Sequence, residues 1–216
     1  CAVPYLKSLS EGAIVSRSLR LFGTGESMVE SLLREKMNAM TNPTLAPYAK
    51  EGEVELRITA KADTEAAASA LLDPVEEELR AQFGTLIYGV GVSSLEQVVL
   101  DGLRERGLTL STAESCTGGL AAKRITDLPG ASQVFKGGVV SYTNEVKAAV
   151  LGVPQTLLEE YGAVSAPVAK AMAEGARRIT GSDLAVSTTG VAGPDSDDRG
   201  NPVGTVFAAV AGENGT

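Results

Sequence analysis

Three short segments carry the side chains with which this chain could do chemistry. The first, AESCTGG at 113–119, sets Ser115, Cys116 and Thr117 directly before Gly118 and Gly119. At a strand-to-helix junction such a run puts a nucleophile beside unpaired main-chain N–H groups, which stabilise an oxyanion or hold a phosphate. Ser115 or Thr117 can serve as nucleophile or phosphate contact. Cys116 is a rival nucleophile that ranks below Ser115, because it has no His partner and a lone Cys is more often a small buried hydrophobe. A structural role is also open: Ser and Thr cap helices and Gly eases a tight turn. Pattern alone favours that plainer reading.

The chain contains no His. This excludes a Ser-His-Asp triad, a Cys-His pair and a His-ligated zinc, so a hydrolytic site must take its base from Lys, Tyr, Glu, Asp or an amine. The second segment, SYTNEVK at 141–147, supplies Tyr142 and Lys147. A neutral Lys is the most credible base for a Ser hydroxyl here, provided its pKa falls from about 10.4 toward roughly 7 or 8 by burial or a nearby cation. Tyr142 can relay a proton or hold the Lys. Taken singly, each fits better as a surface Lys on a short helix and a Tyr at a strand end. The third segment, TTGVAGPD at 188–195, offers the Thr189 hydroxyl and the backbone of Gly190 and Gly193 as oxyanion donors, or simply a Gly-Pro turn. Asp195, Asp197 and Asp198 have the composition of a cation site. They lack the EF-hand spacing and its closing Glu, and read as a solvated acidic loop. FGTGES at 22–27 lacks the full dinucleotide fingerprint and reads as a helix start.

The elements that must position these segments follow from periodicity. Residues 13–21 alternate as a strand, and apolar residues from Met28 to Met40 recur at helical spacing. TNPTLAPYAKEGE reads as a loop, 53–60 as a strand, and Asp63 as the cap of an Ala-rich helix toward Phe83 that breaks or kinks at Pro74. With a closing strand at 85–90 the order is β-α-β-α-β, a small α+β unit assigned to 1–92. Residues 93–216 form the second domain. There, helices at 93–107, 118–128, 144–152, 154–161 and 166–180 alternate with strands at 108–115, 135–143 and 183–189, and a last strand lies near 204–212. Asn144 or Thr143 caps the third of these helices and Ser165 the last. This order predicts a three-layer α/β/α domain with a mainly parallel sheet. Each chemistry-bearing segment then falls at the carboxyl end of a strand, where open α/β sheets bind ligands.

Composition narrows the partners. With 44% hydrophobic but only 4% aromatic residues among 216, the core must be Ala, Val, Leu and Ile. A net charge of −8 disfavours generic nucleic-acid binding. Two cysteines, Cys1 and Cys116, suggest no disulfide framework and fit a reducing cytoplasm. No apolar run reaches the roughly 20 residues of a membrane helix, and CAVPYLKSLS is not a signal peptide. The chain reads as cut at both ends: AVPYLKSL resembles the end of an earlier element, and GENGT a turn whose second strand is missing.

TAESCTGG, GGVVSYTNEVK, GAVS, TTGVAGPD and PVGTV, in that order, resemble the C-terminal domain of the CinA (competence/damage-inducible) family. The preceding IVSRSLRLFGTGES, NPTLAPYAKEGEVELRITAKA and IYGV are similar to its middle, KH-like domain, without the basic GxxG loop of an RNA-binding KH domain. The resemblance implies a nicotinamide mononucleotide amidohydrolase, forming nicotinic acid mononucleotide and ammonia in pyridine nucleotide salvage. It implies Ser115 as nucleophile, Lys147 as general base, Tyr142 as its partner, and Thr189 with the Gly190 backbone at the oxyanion. Cys116, Thr117, Gly118 and Gly119 fall at the substrate. The scheme needs neither metal nor organic cofactor, and the family suggests a homodimer. It also implies that a further strand and helix bearing a site Arg, and an N-terminal domain, lie outside residues 1–216. A non-catalytic nucleotide-binding or scaffold module in competence or DNA-damage responses is the alternative reading.

Overall fold

A computed structural model describes residues 12–50 and 52–216. The AVPYLKSL segment, read above as the end of an earlier element, lies outside them. Contacts divide the chain into two units, one up to Val98 and one from Val99.

In the first unit the alternating segments become strands β1 (Ala13–Phe22), β2 (Thr44–Lys50), β3 (Glu53–Ala62) and β4 (Ile87–Val90). They form an antiparallel sheet in the order β2-β3-β1-β4. Helices α1 (Glu26–Ala39) and α2 (Glu65–Phe83) bury Val29, Leu33, Leu72 and Leu79 in one core with Leu19, Leu21, Leu56 and Ile58 of the sheet. The true order is therefore β-α-β-β-α-β. The segment expected to be a loop is β2, an edge strand, and an edge accepts Pro47 because that position need not donate to a neighbour on its open side. Thr64, rather than Asp63, caps α2: it sits in extended backbone and its hydroxyl accepts from Ala67 N at 3.1 Å. Nor does Pro74 break α2. It lies on the exposed face, where the carbonyl it leaves unpaired can meet water, while Leu72, Val75 and Leu79 hold the other face to the sheet.

In the second unit, β5 (Leu110–Glu114), β6 (Phe135–Val140) and β7 (Leu184–Gly190) are parallel, and β8 (Val206–Ala211) runs antiparallel to β7, giving the order β6-β5-β7-β8. The central strand β5 is buried throughout. Side chains alternate across a strand, so Leu110 packs with Leu100 and Leu103 of α3 (Leu95–Arg106) and Ile125 of α4 (Leu120–Thr126). Ala113 faces the other way, onto Leu151, Leu158, Val168 and Met172. That second layer comprises α5 (Asn144–Ala149), α6 (Gln155–Tyr161) and α7 (Ala166–Thr180). The expected mainly parallel sheet covered on both faces is what forms. GENGT makes a tight turn closed by a Gly212–Gly215 bridge.

One glycine sets how closely these helices approach. A Cβ on Gly175 of α7 would lie 2.1 Å from the Leu151 carbonyl oxygen, which also accepts from Arg178 Nη2 at 2.7 Å. Leu151 directly follows the α5 turn, so this contact presses the short α5 against the rest of the domain. Gly175→Ala is expected to destabilise the fold by about 1–3 kcal/mol, since an overpacked backbone contact cannot relax as a flexible side chain does. Urea denaturation of both chains at matched pH measures it; an unchanged midpoint would show that α7 can shift without cost.

Candidate functional site

The carboxyl ends of β5 and β6 meet over α5. Ser115 continues β5: its N–H donates to the Thr188 carbonyl at 3.0 Å, and its own carbonyl accepts from Gly118 N at 3.1 Å. The turn that follows needs Gly118 and Gly119, both in left-handed backbone with φ of 61° and 99°. Ser141 and Tyr142 continue β6, with Ser141 N donating to the Glu114 carbonyl at 2.8 Å. Thr143 then caps α5 through its hydroxyl, which accepts from Val146 N. One turn later Lys147 points back into the domain.

Lys147 is 1% exposed, the largest side chain buried so completely among the described residues. Its Nζ lies 3.0 Å from Ser115 Oγ, 2.8 Å from the Ser141 carbonyl and 3.4 Å from the Tyr142 carbonyl. Burial pushes its pKa below the ordinary 10.5, against a smaller opposing influence of the Cys116 thiol. A neutral amine has two N–H donors and one lone pair. The two carbonyls accept the two donors, which leaves the lone pair for the Ser115 hydroxyl. The pair can thus activate a hydroxyl nucleophile without His.

Glu114, adjacent to Ser115 and likewise 1% exposed, solves a buried charge differently. Its Oε2 accepts from Gly119 N at 3.0 Å and Ala121 N at 2.9 Å, and its Oε1 from Ala122 N at 2.8 Å. Burial raises its pKa, but the Ala122 N–H, the Thr117 hydroxyl and the Ala121 N–H outweigh that and hold it below the ordinary 4.5.

Comparison with known proteins shows the family of the chain. Residues 92–216 match the family described as the CinA C-terminal domain, and residues 16–89 the damage-inducible protein CinA KH domain. The chain belongs to the CinA family. It is 50% identical over 208 residues to the CinA-like protein of Dictyoglomus thermophilum, covering 96% of this chain and 51% of that relative. It is 52% identical over 208 residues to the CinA-like protein of Synechococcus sp., covering 95% and 49%. The chain thus spans about half the length of the curated relatives it matches. Among solved structures, the competence/damage-inducible protein CihA of Agrobacterium tumefaciens is similar with a TM-score of 0.54 and 42% identity, over 56% of this chain and 74% of that one.

In this CinA-family chain the residues singled out from the sequence fall into two groups. Ser115 and Lys147 are in hydrogen-bonding contact. The others are placed around them, and two hydroxyls point elsewhere than expected. Tyr142 meets Lys147 through its carbonyl, while its side chain is 70% exposed, so the phenol does not hold the amine. The Thr189 hydroxyl donates to the Ala163 carbonyl at 2.8 Å, and a hydroxyl proton committed there is not free for an oxyanion. Gly190 makes room: a Cβ on it would lie 2.8 Å from the Thr205 carbonyl and 3.0 Å from Cys116 Sγ. Cys116 is a half-buried free thiol beside it. Thr117 Oγ1 pairs with Thr188 Oγ1 at 2.7 Å. Gly118 N–H and Gly119 N–H are both engaged within the turn, so neither is offered to a ligand.

Two contributors were not assigned a role from the sequence. One is the Ser141 carbonyl; the other is Glu114, whose signal is a carboxylate at the end of an apolar strand five residues before a Gly that cannot cap. Among the described residues, no group of three or more His, Cys, Asp or Glu side chains could hold a metal, and no helix is long and apolar enough to cross a membrane.

The lowered pKa of Lys147 has a stability signature. Between its folded value and the unfolded value of about 10.4, the unfolded chain binds the extra proton, so this residue makes stability rise with pH across that window. Lys147→Met should flatten this rise relative to the unaltered chain. Urea midpoints of both at pH 6, 8 and 10 provide the comparison, and parallel slopes would mean that the amine is not held neutral by burial.

Proposed function

We propose that the Ser115–Lys147 pair hydrolyses the carboxamide of nicotinamide mononucleotide to nicotinic acid mononucleotide and ammonia, as the family resemblance implies. The observation that carries the reading is the 3.0 Å contact between Ser115 Oγ and a buried Lys147 Nζ whose other hydrogen-bonding directions face two carbonyls. In this scheme Nζ takes the Ser115 proton while Oγ attacks the amide carbon. The resulting ammonium returns that proton to the leaving nitrogen as the C–N bond breaks, and ammonia departs. Water then attacks the Ser115 ester with Nζ as base, and the proton passes back to Oγ as the acid is released. Among the described residues the main-chain N–H groups of Cys116 and Thr117 donate to no other main-chain group, and they are the donors left for the oxyanion, as in other turns that follow a nucleophile. The same reading makes the protein a cytoplasmic homodimer acting in pyridine nucleotide salvage.

Incubation with nicotinamide mononucleotide, following ammonia enzymatically and the acid by chromatography, tests the activity. Binding without ammonia release would leave a nucleotide-binding module instead of an amidase. Ser115→Ala is expected to cut turnover by on the order of a thousandfold or more. Turnover should also fall as pH drops through the lowered pKa of Lys147, because an ammonium has no lone pair for the Ser115 proton. A rate independent of pH from 6 to 10 would remove Lys147 as the base.

A further inference from the structure

We infer that Glu114 is a positioning residue for the nucleophile: its ionised carboxylate anchors the start of α4 and thereby fixes the turn on which Ser115 sits. The inference rests on the proposed role of Ser115 and adds a residue that acts on it through the main chain.

Three observations carry it. Glu114 is buried beside Ser115, and among the described residues no Lys or Arg forms an ion pair with it. A buried charge without a counter-ion is costly unless hydrogen bonds replace its water. Here the N–H groups of Gly119, Ala121 and Ala122 do so, all from the first turn of α4, where the helix dipole also favours an anion. The helix has no cap of its own, since its N-cap residue is Gly119. The carboxylate therefore takes the place of a local Ser or Asp cap, and it does so from the strand.

The consequence for Ser115 follows from chain geometry. The segment from Glu114 to Ala122 is a loop closed on itself: its first residue holds its last by side-chain bonds, and Ser115, Cys116 and Thr117 lie within it. Its other ties include Ser115 N to Thr188 O, Gly118 N to Ser115 O, Leu120 N to Thr117 O and the Thr117–Thr188 hydroxyl pair, none of which reaches Gly119, Ala121 or Ala122. Two adjacent glycines in left-handed backbone would otherwise leave this turn loose. Because β5 side chains alternate, the carboxylate projects to the α4 side, whereas Ser115 Oγ is in contact with Lys147 of α5. Glu114 thus touches no reacting atom and sets the distance between Oγ and Nζ.

The test compares the unaltered chain with E114Q and E114D by the rate at which a fluorophosphonate labels Ser115, located by peptide mass spectrometry, between pH 6 and 9. The amide of Gln keeps the shape but must turn an NH2 toward an N–H donor. E114Q is expected to fold, as judged by circular dichroism, and to label about ten- to a hundredfold more slowly, with the pH midpoint unchanged because Lys147 remains the base. Its turnover should fall through kcat, with KM altered less than twofold. A purely structural Glu114 would lower Tm and leave labelling of the folded protein untouched, so folded E114Q labelled within twofold of the unaltered chain overturns the inference. Should E114Q not fold, E114D decides: it keeps the charge but is one methylene short, and labelling at the unaltered rate likewise overturns it. If the unaltered chain is not labelled at Ser115, the Ser115–Lys147 reading fails and this inference falls with it; labelling of that chain with no loss in the variants sinks only the role of Glu114.

Discussion

An amine at the centre of a protein domain must lose its charge or find a counter-ion, and the second unit of this chain is arranged around the first solution. Lys147 enters from α5 into a space walled by the ends of β5 and β6, where among the described residues no carboxylate forms an ion pair with it. Carbonyl oxygens of Ser141 and Tyr142 receive it instead. Carbonyls satisfy N–H donors without the full Coulombic pull of a carboxylate, so they hold the amine in place while leaving its pKa low. A nearby Asp or Glu would have raised that pKa and taken the lone pair out of use. The same geometry explains why α5 is so short: the helix needs only one turn between the Thr143 cap and Lys147, and its later residues turn into the Leu151 contact beneath Gly175.

The neighbouring Glu114 faces the mirror problem and resolves it by staying charged. Backbone N–H groups are the natural partners of a buried carboxylate as carbonyls are of a buried amine, and a helix start supplies three of them at once. Alternation along β5 and its continuation sends consecutive residues to opposite layers, so one strand end presents an anion to the α4 side and a hydroxyl to the α5 side. The sheet insulates the two. Moving the carboxylate by one position would turn it toward the amine and cancel both arrangements.

Legibility in the sequence tracks how local the determining interaction is. Strands β1, β3 and β7, and the long helices, follow from period and could be read directly. The edge strand Thr44–Lys50 could not, because Pro43, Pro47 and Gly52 are loop signals and only its pairing with β3 makes it a strand. Pro74 misleads for a related reason: whether a proline breaks a helix depends on which face it occupies, and tertiary burial of the opposite face decides the outcome. At the site, the missing His makes Ser115 and Lys147 candidates, but pattern alone favours structural roles and the family resemblance singles them out. Tyr142 and Thr189 were legible as types but not as directions. A tyrosine can contribute its carbonyl and expose its ring, and a threonine hydroxyl can turn to a carbonyl of another loop; neither choice is written in spacing. Glu114 depends on strand parity and the reach of its side chain to residues five to eight positions later, which a motif does not convey.

Scarcity of aromatic residues shapes the remaining walls. Large rings often fix loops by filling space, but this chain has only 4% of them. The turn between α6 and α7 is held by polar side chains on its carbonyls, Thr189 on Ala163, Asn201 on Val164 and Ser165 on Gly162, and Arg199 holds the Glu159 carbonyl in the last turn of α6. Ser165 illustrates the trade, since at the N-cap position of α7 its hydroxyl serves the Gly162 carbonyl and makes no cap bond. Asp197 in turn accepts from Arg199 N, Asn201 N and Asn201 Nδ2, so the acidic loop is folded by its own hydrogen bonds. Hydrogen bonds are directional where packing of small aliphatics is not, and a chain built from Ala, Val and Leu must obtain its geometric precision from them. That is why Thr189, Ser165 and Asn201 are committed to carbonyls of one turn, while the contact between Ser115 and Lys147 is left able to exchange its proton.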